Sequence, residues 1–98
     1  MNEDERIQLI TINLDSVKTI KELHYELKKA LDFPMYYGMN WDAFWDVITG
    51  MVELPVILEL IGWSHIENSL PKDAMILKQL FDKFNTEFPE WSCEVKYK

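Results

Sequence analysis

Pro55 is followed by Val56-Ile57-Leu58-Glu59-Leu60, and this short run constrains the fold more than any other part of the chain. Three consecutive apolar residues, two of them β-branched and bounded by proline, predict a strand buried on both faces. A second run, Ile7-Gln8-Leu9-Ile10-Thr11-Ile12, is rich in β-branched residues and partly alternates, which predicts the first strand. Helical patterns lie between the two, and strand, helices, strand is a parallel crossover. Ser92-Cys93-Glu94-Val95-Lys96-Tyr97 then alternates cleanly as a third strand. Cys93 shares its buried side with Val95 and Tyr97, so it reads as a small core residue and not as a reactive thiol.

The connecting segments carry their own punctuation. Thr19-Ile20-Lys21-Glu22 matches the S/T-x-x-E capping box, and the helix after it puts Ile20, Leu23, Leu27, Ala30 and Leu31 on one face before Pro34 ends it. His24 sits at the margin of that face and reads as a boundary residue with one hydrogen bond, because no cysteine or acid lies near it at metal-ligand spacing. Ser64-His65-Ile66-Glu67 is a second capping-box match that starts a short helix, interrupted by Gly62, Asn68, Ser69 and Pro71. Leu77, Leu80, Phe81, Phe84 and Phe88 recur at helical spacing, which predicts a helix from about Asp73 to Phe88, stopped by Pro89. The order βααβ(α)αβ is an α/β architecture: a small three-stranded parallel sheet packed with three to four helices. At 98 residues this is read as a single domain over 1–98. Its acidic start, Met1-Asn2-Glu3-Asp4-Glu5-Arg6, is expected to fray.

Tyr36-Tyr37-Gly38-Met39-Asn40-Trp41-Asp42-Ala43-Phe44-Trp45-Asp46-Val47-Ile48-Thr49-Gly50 is the segment that speaks to function. Gly38 can supply a left-handed turn, Asn40 is a good N-cap and Gly50 stands where a helix usually stops, so a helix from Trp41 to Thr49 is predicted. Trp41, Phe44 and Ile48 fall on one side as an apolar stripe. Asp42, Trp45, Asp46 and Thr49 fall on the other. Like charges four residues apart repel, so this acidic pair does not serve the helix itself, although the helix dipole partly offsets the cost at Asp42. Two readings of the face stay open: a solvated surface, or an interface in which an indole between two acids, next to two tyrosines, meets a partner.

Seventeen acids against ten bases give a net charge of −7, which works against nucleic acid or an anionic membrane as partner and favours a basic protein. The same charge also serves solubility. A single cysteine excludes an internal disulfide and points to a reducing compartment. No apolar run approaches the ~18 residues needed to span a bilayer, and the acidic N-terminus is unlike a secretory signal; a cytoplasmic protein is expected. Phosphate-binding glycine loops, a nucleophile elbow and Cys-x-x-Cys are absent. Asp42 and Asp46 could bind Mg²⁺ or act as an acid–base pair, but one helix with two carboxylates is a thin basis for either. The expectation is a protein without enzymatic activity or cofactor.

The pattern Tyr36-Tyr37-Gly38-x-Asn40-x-Asp42-Ala43-x-Trp45-Asp46, with Thr49-Gly50 after it, resembles the barstar family of intracellular ribonuclease inhibitors. Leu23-His24, Leu27-Lys28-Lys29, Pro34, Val52-Glu53 and Leu58-Glu59 extend the resemblance, which covers about Ile20 to Glu59 well and the remainder loosely. It implies a small parallel sheet with helices, a monomer when free, and an acidic helix that enters the basic active site of a barnase-like ribonuclease in place of RNA phosphates. The role carries over to Tyr36, Asn40, Asp42, Trp45, Asp46, Thr49 and Gly50. By the same pattern Asp46 fills the phosphate site and pairs with arginines, Asp42 makes adjacent charged contacts, and Tyr36 packs on a catalytic histidine. The chain departs from the pattern at Met51, in place of a tryptophan, and at Lys83, in place of a contacting glutamate. These departures point to a nuclease other than barnase, with a different basic toxin as the alternative partner.

Overall fold

The computed structural model describes residues 5–98. Strands β1 (Leu9–Asn13), β2 (Ile57–Ile61) and β3 (Glu94–Tyr97) form one parallel sheet in the order β1-β2-β3. Helices α1 (Ile20–Ala30) and α2 (Trp41–Gly50) make the first crossover; α3 (Trp63–Ser69) and α4 (Pro71–Glu87) make the second, and a 3₁₀ turn at Pro89–Trp91 leads into β3. This is the expected α/β architecture.

The sheet differs from expectation in one respect: β2 is not buried on both faces. Pairing register puts Ile10, Ile12, Leu58, Leu60, Val95 and Tyr97 on one side, and these are the strand residues that enter the core or pack against it. On the opposite side Leu9 and Thr11 are exposed, and Ile57, Glu59 and Ile61 are half-buried. Glu59 works there as a polar surface residue, accepting from the Thr11 hydroxyl at 3.0 Å and from the Lys98 ammonium at 2.6 Å. The cause is topological. A sheet built in chain order by two crossovers of the same hand collects all its helices on one face.

At Arg6 the chain departs from the expected frayed tail. Residues 1–4 lie outside the described residues, but Arg6 is buried, and its guanidinium donates to the Pro55 carbonyl at 3.3 Å and the Ser92 carbonyl at 2.8 Å. It thereby joins the segments that enter all three strands.

Helix α1 begins as its capping box requires: the Thr19 hydroxyl accepts the Glu22 N–H at 3.1 Å, and the Glu22 carboxylate accepts the Thr19 N–H at 3.0 Å. Helix α3 does not begin at its capping-box match. Gly62, at φ 82°, is the N-cap, and Ser64 lies inside the helix. A Cβ at Gly62 would collide with the Asp15 carboxylate, so close approach and handedness both demand glycine there. Pro71 interrupts nothing: it is the first residue of α4, where a missing N–H costs no hydrogen bond, so α4 starts before Asp73. It ends one residue short of Phe88.

Candidate partner-binding site

Helix α2 is anchored through its inner side. Phe44 is fully buried and meets Phe33, Trp41 and Phe81 edge-on, with ring centroids 5.9, 5.5 and 5.6 Å apart. Ile48 is buried as its place in the stripe predicted, and so is Val47, which that stripe left out. Trp41 is only half-buried, because its indole N–H leaves the core to donate to the Asp73 carboxylate of α4 at 3.0 Å. These contacts give α2 one orientation relative to α1 and α4.

The segment before α2 turns differently from the prediction. Met39, not Gly38, adopts the left-handed conformation, at φ 56°. Gly38 sits in a tight place: a Cβ there would lie 3.2 Å from the Asn40 amide nitrogen and 3.3 Å from the Ala43 Cβ, so these side chains would have to give by a few tenths of an ångström. Asn40 caps the helix, its side-chain oxygen accepting the Ala43 N–H at 2.8 Å while its amide donates to the Gly38 carbonyl at 3.1 Å. Tyr36 and Tyr37 separate completely, Tyr36 being 78% exposed and Tyr37 5%. His24 is fully buried beneath this segment and is no boundary residue; its Nδ1 lies 2.6 Å from the Tyr37 hydroxyl and its ring 4.3 Å from that of Trp41. Burial lowers the His24 pKa below its ordinary value, with an opposing pull from the Asp73 carboxylate.

Along the outer side of α2, Asp42 and Asp46 are exposed one turn apart. Trp45 between them is half-buried at the edge of the core. The Thr49 hydroxyl donates back into the helix, 2.6 Å from the Trp45 carbonyl, so its polar group is already engaged. Gly50 does not stop the helix but is its last residue, and a Cβ there would meet nothing within 4 Å. Beyond it Met51 stays exposed, with its sulfur 4.0 Å from the Tyr36 hydroxyl. The outer side of α2 thus presents an acidic surface, and the exposed Met51 and Tyr36 meet each other just past its C-terminal end.

Helix α4 contributes a residue to this surface that no local pattern connects to it. The Lys83 ammonium stands 4.5 Å from the centroid of the Trp45 ring. Together with Trp41, Asp42, Asp46, Ile76 and Leu80 these two residues line an open concavity of about 460 Å³. No group of three or more histidine, cysteine, aspartate or glutamate side chains is placed to hold a metal among the described residues. Cys93 lies apart from the surface, fully buried, with burial pushing its thiol up to about 12. Among the described residues no helix is long and apolar enough to cross a membrane.

Residues 7–97 match the family model described as Barstar (barnase inhibitor). The chain belongs to the barstar family. A relative in Bacillus subtilis (strain 168), described as "Putative ribonuclease inhibitor YrdF", is 51% identical to this barstar-family chain over 51 residues. The shared segment is 52% of this chain and 56% of the relative, so the chain spans about half the length of the curated relative it matches.

Proposed function

We propose that this barstar-family protein inhibits a barnase-like ribonuclease by placing the outer side of α2 in the enzyme's basic active site. Asp46 takes the position of an RNA phosphate and pairs with arginine, Asp42 makes the neighbouring charged contacts, and Tyr36, Asn40, Trp45, Thr49 and Gly50 complete the contact surface. The protein acts by occupation and carries out no chemistry of its own. One observation supports this reading above the others: both carboxylates are exposed on a helix whose opposite side is locked into the core through Phe44 and Ile48. Carboxylates fixed in this way lose little freedom on binding and can accept bidentate hydrogen bonds from arginine. The net charge of −7 steers the protein towards a cationic cleft in the cytoplasm, where a nuclease must be caught quickly.

The test is stoichiometric inhibition of a panel of guanyl-type ribonucleases, barnase included, at low and high salt. One-to-one, salt-sensitive inhibition of at least one member is expected. Asp46→Ala, at an exposed position, should keep the thermal unfolding curve and weaken inhibition by about 100-fold or more, the cost of leaving the partner's buried cation unpaired. Undiminished inhibition by Asp46→Ala would show that α2 is not the contact surface.

A further inference from the structure

Lys83 plays no part in phosphate mimicry, yet it occupies the same concavity as the two carboxylates that do. It is exposed on α4, and its ammonium is seated over the half-buried indole of Trp45. No carboxylate lies within 4.0 Å of that ammonium among the described residues, so neither Asp42 nor Asp46 forms an ion pair with it. Stacking on an aromatic ring holds the charge in place without using its N–H donors. The concavity therefore has two walls of opposite sign. The α2 wall presents two carboxylates, the α4 wall one ammonium, and Trp41, Ile76 and Leu80 lie with them as apolar lining.

We propose that Lys83 is a specificity-determining residue, selecting ribonucleases whose cationic cluster is bordered by an anionic acceptor on the side that meets α4. This rests on the function proposed for α2 and adds the charge pattern of the partner. A partner that seals the concavity removes water from the ammonium. If it brings a carboxylate, the ammonium is paired; if it brings only cations, the ammonium is stranded and repelled. The α2 carboxylates attract any basic nuclease, and Lys83 discriminates among those they attract.

The experiment compares wild type, Lys83→Glu, Lys83→Met and Asp46→Ala against the same ribonuclease panel at two salt concentrations. Lys83→Glu should reorder the panel. Members the wild type inhibits best lose about tenfold, and the most uniformly basic members gain by a similar factor, with both effects shrinking in high salt. Lys83→Met keeps an aliphatic cover on Trp45 and should move each member in the same direction by less. An equal change for every member, or none, overturns selection by Lys83 while the loss in Asp46→Ala still supports α2 as the contact surface. Unimpaired binding by Asp46→Ala, or inhibition of no member by wild type and by Lys83→Glu alike, removes the α2 reading and this inference with it.

Discussion

The His24 imidazole and the Tyr37 hydroxyl meet 2.6 Å apart in the interior, joining α1 to the segment that presents the exposed Tyr36. The His24 ring also packs, tilted, against Trp41, and Trp41 bonds to Asp73 of α4. A buried histidine thus sits behind the candidate contact surface and supports it without being part of it.

Protonation at this point should weaken the fold. The folded-state pKa of His24 lies below 6.5, chiefly because burial disfavours the imidazolium, so the unfolded chain takes up the proton first. Its contribution to stability is complete above 6.5 and is lost as pH falls from there through the lower folded-state pKa. Urea midpoints at about pH 8 and about pH 5 should show this decline, with a smaller one in His24→Gln, whose amide does not titrate. An equal decline in both proteins would place the sensitivity elsewhere.

Gly50 separates stability from binding. Alanine at this helical position meets nothing within 4 Å, so Gly50→Ala should stabilise the free protein by roughly 0.5–1 kcal/mol through helix propensity. If a partner lies against that open surface, the added methyl weakens inhibition at the same time. Thermal unfolding and inhibition constants, measured together, should move in opposite directions.

Gly62 should tolerate no such change. Gly62→Ala imposes a left-handed alanine and a collision with Asp15, for an expected loss of about 2 kcal/mol or more. Adding Asp15→Ala should recover part of it by removing the carboxylate, leaving the backbone strain. Chemical denaturation of the single and double variants measures both parts.

Legibility in the sequence followed the range of the interaction. Helix α1 was readable because its signals are local: a capping box at Thr19 and Glu22, then Leu23 and Leu27 facing inward. The sides of α2 were readable for the same reason, and Asp42 and Asp46 are exposed as their spacing predicted. β2 misled because Ile57 and Ile61 are apolar although they stand on the open side of the sheet, which hides the alternation that burial reveals. At α3 the Ser64-x-x-Glu67 match competed with Gly62, whose left-handed backbone and closeness to Asp15 fix the true start. The seating of Lys83 on Trp45 depends on how α4 crosses α2, a tertiary distance that spacing along the chain does not encode.

Arg6 has a consequence for the protein as it is made. Its guanidinium bonds to a carbonyl 49 positions downstream and to another 86 positions downstream, and β3 pairs with β2 alone. A ribosome releases Ser92 and β3 after the other elements of the fold, so a nascent chain already displays both α2 carboxylates while the edge of β2 stands open and Arg6 lacks its second acceptor. A transcript cut short before Ser92 would yield a polypeptide bearing the acidic motif and the β1–β2 pair but not the third strand. The codons for Ser92 and β3 therefore decide whether the sheet beneath that motif is complete or leaves β2 as a bare edge open to other strands.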